Sequence, residues 1–393
     1  MIRELQLFVK SNQISFVGFC ILLDLILTII IIIKVNYTEI DWVAYMQEVE
    51  GYLQGERDYS LLKGDTGPLV YPAGFVYFFV FLRYLTAGGL DIRQGQYIFA
   101  IFYLVVLALV MFLYRSGNKV PIYIWPLLML SKRIHSIFVL RLFNDCIAVM
   151  LGYGALLLFT SGRWKSGSVM YSLAVGIKMN MLLWAPGVLL VFLLGTGVYG
   201  TVMCLSICAI VQLLLGYPFL TTHPIQYIAN SFNLGRQFMY KWTVNLKFLS
   251  EAIFLSKKLS ILLLVLTVVA YVLYGYKIIT TNTKALTAYR KTKNKHARVQ
   301  NFKDLLMIGH IHLDGSCGLS PHFVISTVFI SNFIGIVFAR YLLDLHITTF
   351  FLCIISYHII SYHTIPYHTI PYHIISYHGK LYCHIIYSLF HTI

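Results

Sequence analysis

The chain has 393 residues, of which 59% are hydrophobic and only 11% are charged, and its mean hydropathy is +0.75. Soluble globular domains carry about 25% charged residues, so this composition excludes an ordinary water-soluble fold and is typical of a protein in a lipid bilayer. The formal net charge of +15 does not indicate a nucleic-acid partner, because the basic residues lie in short loops between apolar runs.

The first apolar run, about Ile14 to Ile33, is long enough to cross a membrane and lacks a small-residue cleavage site. It predicts an uncleaved transmembrane helix behind a cytoplasmic N-terminus, residues 1–13. Asp24 lies in the middle of this run, where a carboxylate is costly unless it faces other helices. We expect a polar contact inside the helix bundle, and a direct functional role is the alternative.

An acidic loop, residues 36–68, follows the first run and holds seven of the fifteen acidic residues. Those seven residues are Glu39, Asp41, Glu48, Glu50, Glu56, Asp58 and Asp65. Thr38 to Asp41 forms a capping pattern, and apolar residues at helical spacing from Trp42 to Leu53 predict an amphipathic helix on the membrane surface. Asp41 lies on a different face with Tyr45, where it either caps this helix or acts in acid–base chemistry.

Apolar runs continue through the middle of the chain. The run from about Leu69 to Leu85 predicts a second membrane span, and Asp91 is expected to start the next helix. Two further runs, about 169–195 and 198–220, flank a Gly-Thr-Gly break. Lys178 lies inside the first of them, where either a functional role or a lysine that reaches the membrane surface explains a buried charge.

Two polar loops distinguish the membrane faces. Residues 221–255 include Arg236 and Trp242, a basic and aromatic character that suits a lipid head group, a sugar or a plain interfacial loop. Residues 277–303 hold eight basic residues and no acidic residue, which is the signature of a cytoplasmic loop. We expect the acidic loop on the opposite, lumenal face. The apolar runs predict an all-α polytopic protein with about 9–11 transmembrane helices.

The C-terminal tail, residues 341–393, is of a different kind. The dipeptide Tyr-His recurs every five residues from Tyr357, and eight of the fourteen histidines lie in this tail. A five-residue step rotates by about 140° along a helix, so the histidines would not share one face. We interpret the tail as a divergent low-complexity repeat rather than a metal site.

Several blocks of residues 37–340 carry a specific resemblance. They read TEIDWVAYMQEVEG, GDTGPLVYPAG, HSIFVLRLFND, GYPFL, FNLGRQFMYKWTVN and STVFISNFIGIVFAR. They resemble the dolichyl-phosphate-mannose-dependent α-1,3-mannosyltransferases of the asparagine-linked glycan pathway, glycosyltransferase family 58. The resemblance implies a GT-C fold over residues 14–340 in the endoplasmic-reticulum membrane. It also implies transfer of mannose from dolichyl phosphate mannose to a five-mannose dolichol-linked oligosaccharide on the lumenal side.

The chemistry of such a transfer assigns roles to particular residues. A β-linked donor and an α-linked product require one inverting displacement, hence one carboxylate base and cationic groups for the departing phosphate. GT-C enzymes place the base in the first lumenal loop, which implies Asp41, with Asp65 as second choice. The candidates for donor binding are Arg141, Lys178, Arg236, Arg340 and Trp242. The sequence contains no DxD pair or phosphate-binding glycine motif, and we expect neither a metal nor a cofactor.

Two alternative functions remain open at this point. Beyond Arg340 the family continues with an aromatic block, whereas this chain reads YLLDLHITTFF and then the repeat. A catalytically impaired or non-catalytic homologue is therefore one alternative. A polytopic transporter is the other, but it does not account for the concentrated acidic loop and predicts internal repeats, which residues 1–340 lack.

Overall fold

Helices dominate the part of the chain that the computed structural model describes, residues 12–233, 240, 246–293 and 319–338, with the backbone alone for 281–293. The helices are α1 (Gln13–Lys34), α2 (Trp42–Leu53), α3 (Ala73–Leu85), α4 (Ile92–Gly117), α5 (Lys132–His135), α6 (Asp145–Thr160), α7 (Trp164–Ile177), α8 (Ala185–Leu220), α9 (Pro224–Ser231), α10 (Glu251–Phe254), α11 (Lys257–Lys293) and α12 (Pro321–Phe338). Between them lie the 3₁₀ segments Ala87–Gly89, Ile122–Leu130 and Met179–Trp184, a π-helical turn at Ser136–Leu140, and a small antiparallel hairpin of β1 (Lys63–Gly64) and β2 (Gly67–Pro68). The predicted all-α architecture is confirmed.

Helices α1 and α4 form an antiparallel pair of membrane spans. Arg93, at the start of α4, donates a hydrogen bond to the carbonyl of Ile32, near the end of α1. Half-way along both helices, the Tyr103 hydroxyl donates to the Asp24 carboxylate at 2.5 Å. The chain thus leaves and re-enters the membrane on the same face, so the predicted second span over Leu69–Leu85 is wrong. Helix α3 packs on α2, and both lie on this face of the membrane.

The third pass through the membrane is irregular and covers residues 122–140. Trp125 packs on the first turn of α1, His135 Nε2 lies 3.2 Å from the Asp24 carboxylate, and the Leu140 carbonyl accepts from the Thr38 N–H at 3.3 Å. These contacts advance from one face of the membrane to the other. The expectation that Asp24 faces other helices is confirmed, since its carboxylate joins three passes.

Helix α8 consists of two antiparallel passes although its backbone is helical almost throughout. Tyr171 donates to the carbonyl of Met181 at 3.0 Å, and the adjacent Ser172 donates to the carbonyl of Cys208 at 2.8 Å. A straight helix would separate Met181 and Cys208 by about 40 Å, which excludes both contacts. The reversal occurs at Gly197, whose φ of 70° glycine adopts without strain. The predicted Gly-Thr-Gly break is therefore confirmed as a turn between two passes.

Helices α11 and α12 add the last two described passes. The Tyr271 hydroxyl of α11 donates to the carbonyls of Leu183 and Ser331, at 3.4 and 3.0 Å. Two turns later in α11, Ile278 packs against Leu194 of α8. Helix α11 therefore runs parallel to the first half of α8. Helix α12 runs back, because its first turn also packs at Leu194.

Contacts thus trace nine passes through the described residues, namely α1, α4, the irregular segment 122–140, α6, α7, both halves of α8, α11 and α12. Length and apolar composition alone identify five spanning helices, or six with one bent pair, because α8 counts once and α6 and α7 have only 16 and 14 residues. The chain is a multi-pass membrane protein. The acidic loop lies on one face, and the basic turns at Arg115, Arg163 and Lys277 lie on the other.

Candidate active site

Asp41 immediately precedes α2, at the position where a side chain can cap the helix. Among the described residues, no backbone N–H of α2 donates to its carboxylate. The Asp41 carboxylate accepts instead from the Tyr45 hydroxyl, one turn along the helix, at 3.4 Å. The predicted start of the helix at Thr38 is wrong, because the Thr38 N–H is engaged by the carbonyl of Leu140. The Asp41 carboxylate is therefore not used to cap α2.

Helix α2 is buried on two faces, whereas an amphipathic helix on the membrane surface would expose its polar face to water. Trp42 is fully buried, and its indole N–H donates to the carbonyl of Gly89 at 2.9 Å. Tyr45, predicted on a different face, is buried at 3% exposure, as is Glu48, whereas the apolar Leu53 is 54% exposed. The helix predicted in the acidic loop is confirmed, and its burial on both faces fixes the position of Asp41.

Tyr71 forms the wall next to Asp41. Its hydroxyl lies 3.3 Å from the Tyr45 hydroxyl, and its ring centroid lies 5.9 Å from the Lys178 ammonium. Tyr71 is placed by α3, which packs on α7 with almost no gap. A Cβ at Gly74 would lie 2.8 Å from the carbonyl oxygen of Gly176, so only glycine allows this approach.

Lys178 ends α7 and forms a buried ion pair with Asp145, which begins α6. The Lys178 ammonium lies 2.6 Å from the Asp145 carboxylate and 3.3 Å from the side-chain oxygen of Asn144. The α7 helix breaks here, since Lys178 has extended backbone angles, so Lys178 is not inside a membrane helix as its apolar surroundings predicted. A cation at a helix C-terminus and a carboxylate at a helix N-terminus are each favoured by the helix dipole.

The corner between the irregular pass and α6 holds two buried donors. The Arg141 Nε and the Asn144 Nδ2 have no hydrogen-bond partner among the described residues. Between them, Leu142 has a φ of 52°, a left-handed conformation that is strained for a branched side chain. Buried donors are nearly always satisfied in proteins, so this corner is suited to an anion with several acceptor oxygens.

Electrostatics make Asp41 a candidate general base. Burial raises the pKa of Asp41 above the ordinary aspartate value, and the charges of Asp145 and Glu39 raise it further. The Lys178 charge and the hydrogen bond from Tyr45 lower the pKa and partly offset these effects. A carboxylate whose pKa lies above the usual range is a stronger base than an ordinary aspartate.

The structure brings together some of the predicted site residues and separates others. Asp41 and Lys178 share one cluster, and Arg141 lies at its edge. Asp65 is exposed at the hairpin, where its N–H donates to Gln47 at 2.7 Å, more than one turn along α2 from Asp41. Arg236, Trp242 and Arg340, like the repeat tail 341–393, lie outside the described residues.

Sequence reasoning missed three residues of this cluster, Tyr71, Asn144 and Asp145. The signal for Asp145 was an acidic residue at the edge of an apolar run, which favours a functional role. Its partner became visible only once α6 and α7 were known to be adjacent. No group of three or more His, Cys, Asp or Glu side chains with metal-site geometry occurs among the residues that the structure describes.

Fold and site together define an integral membrane protein with a carboxylate and cation cluster at the membrane surface, on the face opposite its basic turns. The model of the ALG3 protein family matches residues 18–388, so the chain belongs to that family. No solved structure matches the chain.

Curated relatives agree with this family. A Drosophila melanogaster protein named dolichyl-P-Man:Man5GlcNAc2-PP-dolichol alpha-1,3-mannosyltransferase l(2)not2 is 54% identical over 247 residues, which cover 63% of this chain and 51% of the relative. An Arabidopsis thaliana Dol-P-Man:Man(5)GlcNAc(2)-PP-Dol alpha-1,3-mannosyltransferase is 41% identical over 84% of this chain and 74% of its own length. The Homo sapiens protein of that name is 44% identical over 80% and 68%. The chain thus spans about half the length of the first fly relative that it matches.

Proposed function

We propose that this chain is an inverting mannosyltransferase. It transfers mannose from dolichyl phosphate mannose to a dolichol-linked Man(5)GlcNAc(2) oligosaccharide and forms an α-1,3 bond. The support is the family membership together with the names of three relatives, which state this donor, acceptor and linkage.

The observation that carries the proposal is the half-buried Asp41 carboxylate, which caps no helix and has a raised pKa. Asp41 accepts the proton of the acceptor hydroxyl as the hydroxyl oxygen bonds to the anomeric carbon of mannose. The bond from that carbon to the phosphate oxygen breaks, and the dolichyl phosphate leaves with the electron pair. A base of this kind contributes about 10²–10⁴-fold to a reaction rate.

The departing phosphate needs cationic and hydrogen-bonding partners. Lys178 supplies a positive charge beside Tyr71, and its ion pair with Asp145 fixes that charge in place. The side-chain N–H donors of Arg141 and Asn144 are buried close to Asp145. Preorganised donors stabilise charge that develops in a transition state more than charge in the ground state. Arg236, Arg340 and Trp242 remain proposed donor-binding residues, and Asp65 is proposed as an acceptor contact.

The reaction takes place on the lumenal side of the endoplasmic-reticulum membrane. Basic turns mark the cytoplasmic face of membrane proteins, and the basic turns at Arg115, Arg163 and Lys277 lie opposite Asp41. The donor and acceptor are both membrane lipids, so the site at the membrane surface matches where their head groups lie.

The test is complementation in cells that lack their own transferase of this step. The chain should convert the five-mannose intermediate to the six-mannose lipid, measured by chromatography of released oligosaccharides. Asp41→Asn should leave the intermediate unextended at an equal protein level, while Asp91→Asn, a matched exposed carboxylate that caps α4, should extend it normally. The proposal fails if the well-expressed chain leaves the intermediate unextended, which is the outcome for a non-catalytic homologue.

A further inference from the structure

Asp145 is a buried carboxylate that the proposed chemistry does not use. It is the first residue of α6 and pairs with Lys178 at the end of α7. The side chain of Asp145 is 9% exposed and that of Lys178 is 10% exposed. Asn144 adds a second acceptor to the same ammonium. Lysine is a flexible side chain with a mobile charge, and two acceptors at its tip restrict it to one place.

This ion pair also acts on Asp41 through space. Lys178 and Asp145 contribute opposite electrostatic effects at the Asp41 carboxylate. The titratable groups that face Asp41 come from its own loop and from every element packed around it. They are Tyr37 and Glu39 in the loop, Tyr45 on α2, Tyr71 before α3, Asp145 on α6 and Lys178 after α7.

We propose that Asp145 is a positioning residue that holds the Lys178 ammonium beside Tyr71 and balances its charge at Asp41. This inference rests on the proposed function for its catalytic meaning. Without the balance, a full positive charge would act on the base and weaken it. With the balance, Lys178 is kept in place for an incoming phosphate while Asp41 keeps its basicity.

Opposite changes follow for the two partners. Asp145→Asn leaves Lys178 unbalanced, so the acid limb of the pH–rate profile should move to lower pH by about 0.5–1 unit. Lys178→Met leaves Asp145 unbalanced, and the limb should move to higher pH. In Asp145→Asn, kcat should fall about 10-fold or more while the KM for the donor stays within about twofold, because the cation is retained but no longer fixed.

A second readout does not require activity. Carbodiimides modify carboxyl groups in their protonated form, so the pH at which half of Asp41 is labelled by dicyclohexylcarbodiimide, followed by mass spectrometry of the purified protein, reports its titration. The double variant Asp145→Asn with Lys178→Gln buries no unpaired charge, and its labelling midpoint should fall between those of the single variants. Asp91→Asn serves as control and should match the unchanged chain.

These measurements separate the inference from the proposed function. Suppose that the two single variants shift the labelling midpoint in opposite directions but the unchanged chain does not extend the five-mannose intermediate. The electrostatic balance would then be upheld and the proposed enzymatic function would be overturned. An active chain in which both single variants shift the midpoint in the same direction, or not at all, would overturn the role of Asp145. If a single variant does not fold, an unchanged kcat in the double variant, which lacks both the cation and its partner, gives the same negative answer.

Discussion

Asp41 carries a charge that its surroundings disfavour. Asp41 is partly buried, and burial is the largest of the effects that raise its pKa. A folded-state pKa above the unfolded value means that the folded protein binds the proton more tightly. The carboxylate therefore costs stability at neutral pH, and that cost disappears as the pH falls through the folded pKa. Retaining such a group is typical of a site that trades stability for activity.

Asp41→Asn should accordingly raise the apparent melting temperature at pH 7.5, since the amide has no charge to bury. The difference from the unchanged chain should narrow as the pH is lowered towards 4–5, a range chosen about the ordinary aspartate pKa. Intrinsic tryptophan fluorescence of the detergent-solubilised protein measures both. A fall in melting temperature at pH 7.5 would instead mean that the carboxylate stabilises α2.

Tyr45→Phe removes the hydroxyl that donates to Asp41 and lies 3.3 Å from the Tyr71 hydroxyl. The ring contacts with Phe75 and Phe79, at 5.1 and 4.9 Å between centroids, should persist, so stability should change little. The lost hydroxyl lowers the pKa of Asp41 in the unchanged chain, so the acid limb of the pH–rate profile should move to higher pH by a few tenths of a unit. Tyr84→Phe, which alters an 85% exposed side chain, is the matched control and should cause no shift.

Helix α3 packs between α2 and α7. Its N-terminus positions Tyr71, and Gly74 lies directly on the backbone of Gly176. Movement of α3 away from α7 would therefore displace Tyr71 from Lys178. This packing between α2 and α7 is what positions Tyr71 beside Lys178.

Gly74→Ala tests this packing. The new Cβ would meet the carbonyl of Gly176 at 2.8 Å, a backbone atom that has little freedom to move. Overpacking of this kind costs about 1–3 kcal/mol, and thermal unfolding of the purified protein should show the loss. Gly18→Ala, in α1 with no atom within 4 Å of the new Cβ, should be neutral or slightly stabilising. Equal melting temperatures for the two variants would contradict the close approach.

The sequence predicted the elements whose apolar runs match the thickness of a membrane, such as α1 and α4. It failed at Leu69–Leu85, because the loop residues before Ala73 lengthened a 13-residue helix into an apparent span. It also could not show that residues 122–140 cross the membrane, since Pro121 and Pro126 interrupt any helical pattern there. The concentration of acids in the loop and the family resemblance made Asp41 a candidate, whereas the pairing of Asp145 with Lys178 depends on which helices are neighbours.

The distribution of charge over the whole molecule follows the traced path. The acidic loop, the start of α6, the end of α7 and the end of α8 lie on one face. The short basic turns at Arg115, Arg163 and Lys277 lie on the other. Eight of the nine passes lie between the start of α1 and Lys277, which is near the end of the membrane-spanning part of α11. Because eight is an even number, Lys277 shares a face with the start of α1, as the positive-inside rule requires.

Two single substitutions test this topology, because each creates an Asn-x-Ser acceptor for glycosylation, which occurs only in the lumen. Asp58→Asn alters a partly exposed residue of the acidic loop before Tyr59 and Ser60, and should add a glycan that an endoglycosidase removes. Lys303→Ser completes an acceptor at Asn301 in the basic stretch, and should leave the gel mobility unchanged. The unchanged chain gives the baseline, since Asn36 already begins an acceptor sequence next to the end of α1. A glycan on the Lys303→Ser variant, with none on Asp58→Asn, would invert the traced path and place Asp41 on the cytoplasmic face.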